Sequence, residues 1–350
     1  MYQHIVSIGP GAALAAAFLF GLSVPAAKWL LADVGPWGLA GWLYAGSGLG
    51  LTFYRWARRL PATFPEGREW LSLGASTVLG GMVAPVLLMV GLSGQGAASA
   101  SLLLNAEGVF TTLLAWFWFR ENFDTRIAIG MVAIVAGAAV LGVREGGELA
   151  LSSGAAAVLG ACLCWAVDNN VTRKVAHLDA VWLASVKGLV AGAANLGLSA
   201  YLGEGWPAWV PAMEALLLGW LSYGVSLTLF VVGLRHLGTA RTSAYFSQAP
   251  LFGALCSVLL LGEPVDSRLI AAAALMGLGV WLHLTERHSH EHTHDAIEHD
   301  HVHVHDEHHQ HEHDEPAPPG TRHRHRHRHE PLRHSHPHFP DIHHRHGHRR

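Results

Sequence analysis

Laid over itself with a shift of 142 residues, this 350-residue sequence aligns Gly91–Leu141 with Gly233–His283 without a gap. Gly91/Gly233, Gly96/Gly238, Ser101/Ser243, Phe110/Phe252, Glu121/Glu263, Asp124/Asp266, Arg126/Arg268 and Gly137/Gly279 coincide. The first copy contains the apolar run Ala97 to Phe119. As a helix rising ~1.5 Å per residue it would measure ~34 Å, enough to cross a bilayer core of ~30 Å. Glu107 stands close to its middle. A charge at the centre of a membrane helix costs roughly 2.5–3.5 kcal/mol on insertion scales, so it faces a partner or a water-filled cavity. The chain reads as a duplicated membrane protein.

Only 14% of the residues are charged, against about 25% in soluble proteins. The average hides a division near Arg287. Residues 1–287 carry 15 Lys/Arg and 15 Asp/Glu, while the remainder holds 23 of the 27 histidines and no long apolar run. Cys162, Cys164 and Cys256 lie inside apolar segments at no metal-ligand spacing and read as packing residues. The N-terminal MYQHIVSIGPG lacks Lys and Arg, so residues 10–31 read as a first span rather than a cleaved signal.

Ten segments are long and apolar enough to span: 10–31, 36–54, 70–92, 97–119, 126–143, 151–175, 181–203, 211–234, 239–261 and 267–284. With the N-terminus inside, Arg55, Arg58, Arg59, Arg68, Arg120, Arg126, Arg173, Lys174, Arg235 and Arg241 fall in inner loops, and only Arg144 and Arg268 in outer ones. The positive-inside rule then puts both termini in the cytoplasm. Five spans per copy is an odd number, so the second copy enters the membrane inverted. Inverted repeats with a site near the midplane are a transporter architecture. The expected fold is an all-α integral membrane protein of ten transmembrane helices in two inverted five-helix repeats, residues 1–145 and 146–287. Residues 288–350 form a disordered His-rich cytoplasmic tail. The glycines of residues 46–50 and the pair Gly188/Gly192 give small faces for close helix packing.

Each half ends in a helix–Glu–Arg–helix unit, Arg120-Glu121 with Arg126 and Gly262-Glu263-Pro264 with Arg268. With Phe20-Gly21-Leu22-Ser23 before Lys28, and Cys164-Trp165-Ala166, the pattern over residues 10–285 resembles the EamA-type branch of the drug/metabolite transporter superfamily. The resemblance implies a ten-helix inner-membrane carrier, often an exporter of amino acids or other small metabolites. It also gives weight to Lys28, since the family's first helix often carries a lysine there.

Glu107, ~18 Å from the cytoplasmic end of its helix, is the strongest candidate for proton coupling or for holding a cationic substrate group. The competing reading is a structural glutamate bonded to a neighbouring helix. Its counterpart is Ala249, so the charge is one-sided, and Tyr245 and Gln248 offer neutral groups opposite it. Asp168 and Lys187 sit at matching depth on consecutive helices. They are expected to form an ion pair, either structural or a gate. Lys28 can snorkel to the interface. Tyr223 is a further cavity candidate. These seven are the substrate or coupling candidates.

Residues 288–315 hold twelve histidines and nine acidic side chains, in H-x-H runs. Composition this polar builds no core. His290, His292, His294, His301, His303, His305, His308, His309, His311 and His313 are the expected ligands for Zn, Ni, Co or Cu. No cofactor is required by the core. The leading function is a secondary carrier, an exporter of a small metabolite. The alternatives are a carrier of divalent metal or a metal chelate served by the tail, and a non-transporting metal sensor. No nucleophile–base pair or Gly-rich phosphate loop points to an enzyme. Partners are the lipid bilayer, a small-molecule substrate and transition-metal ions, with no nucleic acid; a homodimer stays open.

Overall fold

The computed structural model describes residues 2–60, 62, 64–119, 125–142, 151–175, 178–237, 239–285, 289–294, 298–303, 323–328 and 332–337. The chain divides into two units, Met1–Thr285 and Glu286–Arg350. The described part of the first is helical, in chain order α1 (Tyr2–Leu30), α2 (Pro36–Arg58), α3 (Glu69–Ser76), α4 (Ala84–Ser93), α5 (Ala97–Leu103), α6 (Ala106–Phe119) and α7 (Thr125–Leu141). There follow α8 (Ser153–Thr172), α9 (Ala180–Tyr201), α10 (Trp209–Gly219), α11 (Ser226–Leu237), α12 (Thr239–Phe246), α13 (Ala249–Leu261) and α14 (Ser267–Leu284). Among the described residues six stretches are long and apolar enough to cross a membrane: Gly9–Leu30, Glu69–Ser93, Ala97–Trp118, Ser153–Thr172, Ala180–Tyr201 and Trp209–Leu234. Thr125–Leu141, Ala249–Leu261 and Ser267–His283 are shorter apolar helices. With large side chains such as Leu259, Leu71 and Val132 turned outward, the protein is a multi-pass membrane protein.

Four of the expected straight spans are interrupted. The run 97–119 breaks at Leu104–Asn105, where the Asn105 amide donates to Leu102 O at 2.9 Å. A side chain that bonds its own preceding turn competes with the helix ladder there. The run 239–261 breaks at Ser247–Gln248, just before Pro250, whose missing N–H cannot continue the ladder. In 70–92 the backbone between α3 and α4 widens into a π-helical turn over Thr77–Val83, and between α10 and α11 it does so over Trp220–Val225. Such bulges are rare and gather at functional sites.

Helix α2 lies along α9, and glycine sets the approach. A Cβ on Gly188 would stand 2.7 Å from Gly48 N, and one on Gly192 2.6 Å from Ala45 N. Helices α7 and α14 meet the same way at Gly130 and Gly279. The main core gathers Leu39, Leu43, Met89, Leu92, Leu102, Val158 and Met276.

Two helix starts take their caps from far along the chain. The N-cap residues of α2 and α5 are Gly35 and Gly96, without a capping side chain. The Glu204 carboxylate accepts from Trp37 N (3.3 Å) and Gly38 N (2.8 Å). Glu263 accepts from Ala97 N (2.6 Å) and Ala98 N (2.8 Å). Each carboxylate satisfies two orphan donors at a positive helix end. At the other end of α2, Arg55 pairs with Asp179, which also caps α9 through Trp182 N at 2.7 Å. Asp266 caps α14 through Leu269 N (2.7 Å), a bond that holds its exposed carboxyl below its ordinary pKa. That cap is therefore in force above the unfolded carboxyl range and is lost as pH falls through the lowered value.

In the second unit, strand β1 (Ser289–His294) pairs antiparallel with β4 (Leu332–Pro337), and β2 (Glu298–His303) with β3 (His323–Arg328). An alternating H-x-H sequence has the two-residue period of a strand. The side chains of His290, His292, His294, His301 and His303, and all of His305, His308, His309, His311 and His313, lie outside the described residues.

Candidate functional site

The site is organised around carbonyls released by the first π-helical turn. Pro85 has no N–H to return to Gly81 O. Asn195 of α9 donates to that oxygen (3.3 Å) and to Met82 O (3.4 Å). Gly80 O accepts from the Tyr44 hydroxyl of α2 (2.8 Å) and from Trp165 Nε1 of α8 (3.0 Å). Buried carbonyls need donors, and here three different helices supply them. Tyr44 and Trp165 were invisible in the sequence as site residues.

Asp168 packs directly onto Gly80. Its Oδ1 accepts from Ser76 Oγ (2.5 Å) and Thr172 Oγ1 (2.9 Å), and its Oδ2 lies 2.5 Å from Lys187 Nζ. Both oxygens of this buried carboxylate are satisfied. The two residues matched by depth are thus brought together, with hydroxyl partners that depth alone did not suggest.

A Cβ at position 80 would collide with the Asp168 carboxyl group. Gly80→Ala is expected to push Asp168 off Lys187 and to cost about 1–3 kcal/mol by overpacking. At Gly74 a Cβ meets nothing within 4 Å, so Gly74→Ala is the neutral control. Thermal unfolding of the purified proteins in detergent should separate the two. Equal melting temperatures would contradict the contact.

Glu107 stands in the first turn of α6, immediately after the break. The positive end of a half-helix favours a carboxylate there. Asn169 Nδ2 of α8 donates to its Oε1 at 2.8 Å and lies 3.4 Å from Thr111 Oγ1. Asn170 fixes the neighbouring turn through Thr111 O at 3.2 Å. Among the described residues Oε2 of Glu107 has no hydrogen-bond partner, in contrast to Asp168. Asp168 and Asn169 are consecutive on α8, so the Glu107 contact adjoins the Asp168–Lys187 pair, and Tyr44 meets the same Gly80 on which Asp168 packs.

An aromatic row leads away from this cluster. Tyr44 neighbours Tyr223 of the second π-helical turn (ring centroids 5.7 Å), which meets Phe20 of α1 edge-on (5.5 Å). Phe20 then meets Phe246 (5.4 Å), at the end of α12. Tyr223 is therefore part of the cluster's rim. Tyr245 and Gln248, both half-buried, flank Phe246 and the second break. The partner of Glu107 is Asn169 rather than either of these. Lys28 is engaged elsewhere: its Nζ donates to Leu92 O at 2.6 Å, neutralising the negative end of α4. Among the described residues no group of three or more His, Cys, Asp or Glu side chains could hold a metal ion.

The EamA-like transporter family matches this chain twice, over residues 7–143 and 152–285. An uncharacterized transporter of Methanothermobacter thermautotrophicus is 27% identical over 288 residues, covering 77% of this chain and 84% of that protein. A crystal structure of a protein with 19% sequence identity superposes with a TM-score of 0.59, covering 78% of this chain and 95% of its own, and shares the fold. Two matches that together span most of the helical unit establish that this membrane protein belongs to the EamA-like transporter family.

Proposed function

We propose that this transporter is an inner-membrane secondary carrier that exports a small metabolite by alternating access. Ten spans in two inverted halves carry it, with Glu107 lining the central cavity and both termini in the cytoplasm. The observation that carries the reading is the contrast between two intramembrane carboxylates. Asp168 is saturated by Lys187, Ser76 and Thr172, whereas Glu107 keeps one oxygen for a proton or for a cationic group on the substrate. A charge left part-satisfied in a membrane helix marks a solute or proton pathway.

The inverted-repeat reading draws support from matched irregularities. Helix α1 packs against α11 and α13, while α8, its counterpart, packs against α4 and α6. Among the described residues each half has one π-helical turn and one broken helix, and the breaks at Leu104–Asn105 and Ser247–Gln248 lie about one shift apart. The two family matches divide at the same place. Half-helices meeting near the midplane are where transporters of this architecture bind substrate. Tyr245 and Gln248, beside the second break, supply neutral contacts on the far side. Lys28 acts as a helix-end anchor.

The metal-carrier and metal-sensor alternatives rest on the histidine tail's composition. Purified full-length protein in proteoliposomes, loaded with members of a solute panel, tests the proposal by counterflow with and without Ni, Co and Zn. Counterflow of an organic solute that survives removal of residues 288–350 is the expected result. Counterflow that requires the tail and a metal ion would favour the metal reading, and no counterflow for any solute would favour the sensor.

A further inference from the structure

The C-terminal end of α2 carries a cavity of about 710 Å³ lined by Thr52, Arg55, Trp56, Ala57, Arg59 and Leu60. Arg55 is buried and committed to Asp179, so it adds little net charge. Arg59 is exposed and lines the cavity with its guanidinium free of any partner among the described residues. Its backbone is unusual. Arg59 lies in the left-handed region (φ 49°, ψ 41°), the one non-glycine residue with positive φ among the described residues.

That position closes α2, with Arg59 N–H bonded back to Arg55 O and Trp56 O. Helices normally end this way on glycine or asparagine, because a Cβ is crowded in the left-handed conformation. A bulky cation kept there against its own backbone preference is a feature to explain by what the side chain does. The same helix face continues into the membrane as an apolar stripe. Leu49, Phe53 and Trp56, at i, i+4 and i+7, are all more than half exposed, and Phe53 and Trp56 touch at 5.8 Å between ring centroids.

We propose that this cavity is a seat for an anionic glycerophospholipid. The phosphate sits in the concavity against Arg59, and an acyl chain runs along Trp56, Phe53 and Leu49. The pairing of a guanidinium that has no partner among the described residues with a contiguous apolar stripe favours a lipid over free phosphate. A phosphate ion has no use for the stripe, and a neutral headgroup has none for the arginine. The seat is independent of the transport cavity, since none of its lining residues belongs to the Glu107 cluster.

The test is native mass spectrometry of the full-length protein in detergent, titrated with phosphatidylglycerol, phosphatidylcholine or inorganic phosphate. The wild type should retain phosphatidylglycerol over phosphatidylcholine by about fivefold, the contribution of one basic residue at a membrane surface. Arg59→Gly relieves the left-handed strain, so it should melt no lower than the wild type while losing that preference. Arg58→Gln, just outside the cavity lining, should keep most of it. Three outcomes overturn the proposal: equal binding of the two lipids by the wild type, a preference that survives Arg59→Gly, or displacement of bound phosphatidylglycerol by inorganic phosphate at equal concentration.

Discussion

Replacing Lys187 with Met is expected to be the most destabilising single change in the membrane-embedded region. Asp168 would be left buried with two hydroxyl donors and no counter-charge. Breaking a buried pair by removing one partner typically costs about 3–5 kcal/mol, because the remaining charge stays desolvated and uncompensated. Thermal unfolding in detergent should show a melting temperature lower by roughly 10 °C. Adding Asp168→Asn should recover most of the loss. The amide keeps the shape, and the Ser76–Thr172 contact at 2.8 Å remains. Flux in the double variant then separates two roles. With both Asp168 oxygens saturated and its surface pressed on Gly80, the pair is expected to act as an anchor for the π-helical turn, and the double variant should then transport. A double variant that folds as well as the wild type and moves no solute would make the pair a gate that must break and reform.

Glu107→Gln should behave in the opposite way. Glutamine preserves the size of the side chain and an oxygen for Asn169 Nδ2, and it removes an intramembrane charge that costs roughly 2.5–3.5 kcal/mol at insertion. The variant should express and melt at least as well as the wild type. Its transport should fall at least about tenfold, the effect of losing one hydrogen bond to a charged group. Stability and activity are thus expected to separate at the two carboxylates.

The difference between the two was only partly legible. Membrane-crossing helices were readable because bilayer thickness imposes a minimum length on any apolar run, and the family matches twice along a chain whose Gly, Glu and Arg positions recur without gaps. Asp168 and Lys187 could be matched because they flank one short loop and depth is a one-dimensional quantity. Asn169 as the partner of Glu107 could not be read, since it depends on how α6 and α8 are rotated against each other. The breaks at Asn105 and Gln248 were hidden for a related reason. Hydropathy is the same whether a membrane helix is straight or interrupted, and the Asn105 amide bond and Pro250 leave it unchanged. The π-helical turn was hidden in the same way, and with it the roles of Tyr44 and Trp165, which donate to Gly80 O. The remote caps Glu204 and Glu263 were equally hidden, because each lies more than 160 residues from the helix start it serves.

The central claim, that Glu107 is the working carboxylate of a carrier, is tested most directly by counterflow across a pH series. Wild type and Glu107→Gln would be reconstituted in parallel with the solute that the panel identifies. The account predicts pH-dependent counterflow in the wild type and a variant that melts normally, transports at least about tenfold less, and no longer responds to pH. Full flux with an unchanged pH profile in Glu107→Gln would contradict it, and Glu107 would then be a structural residue held by Asn169.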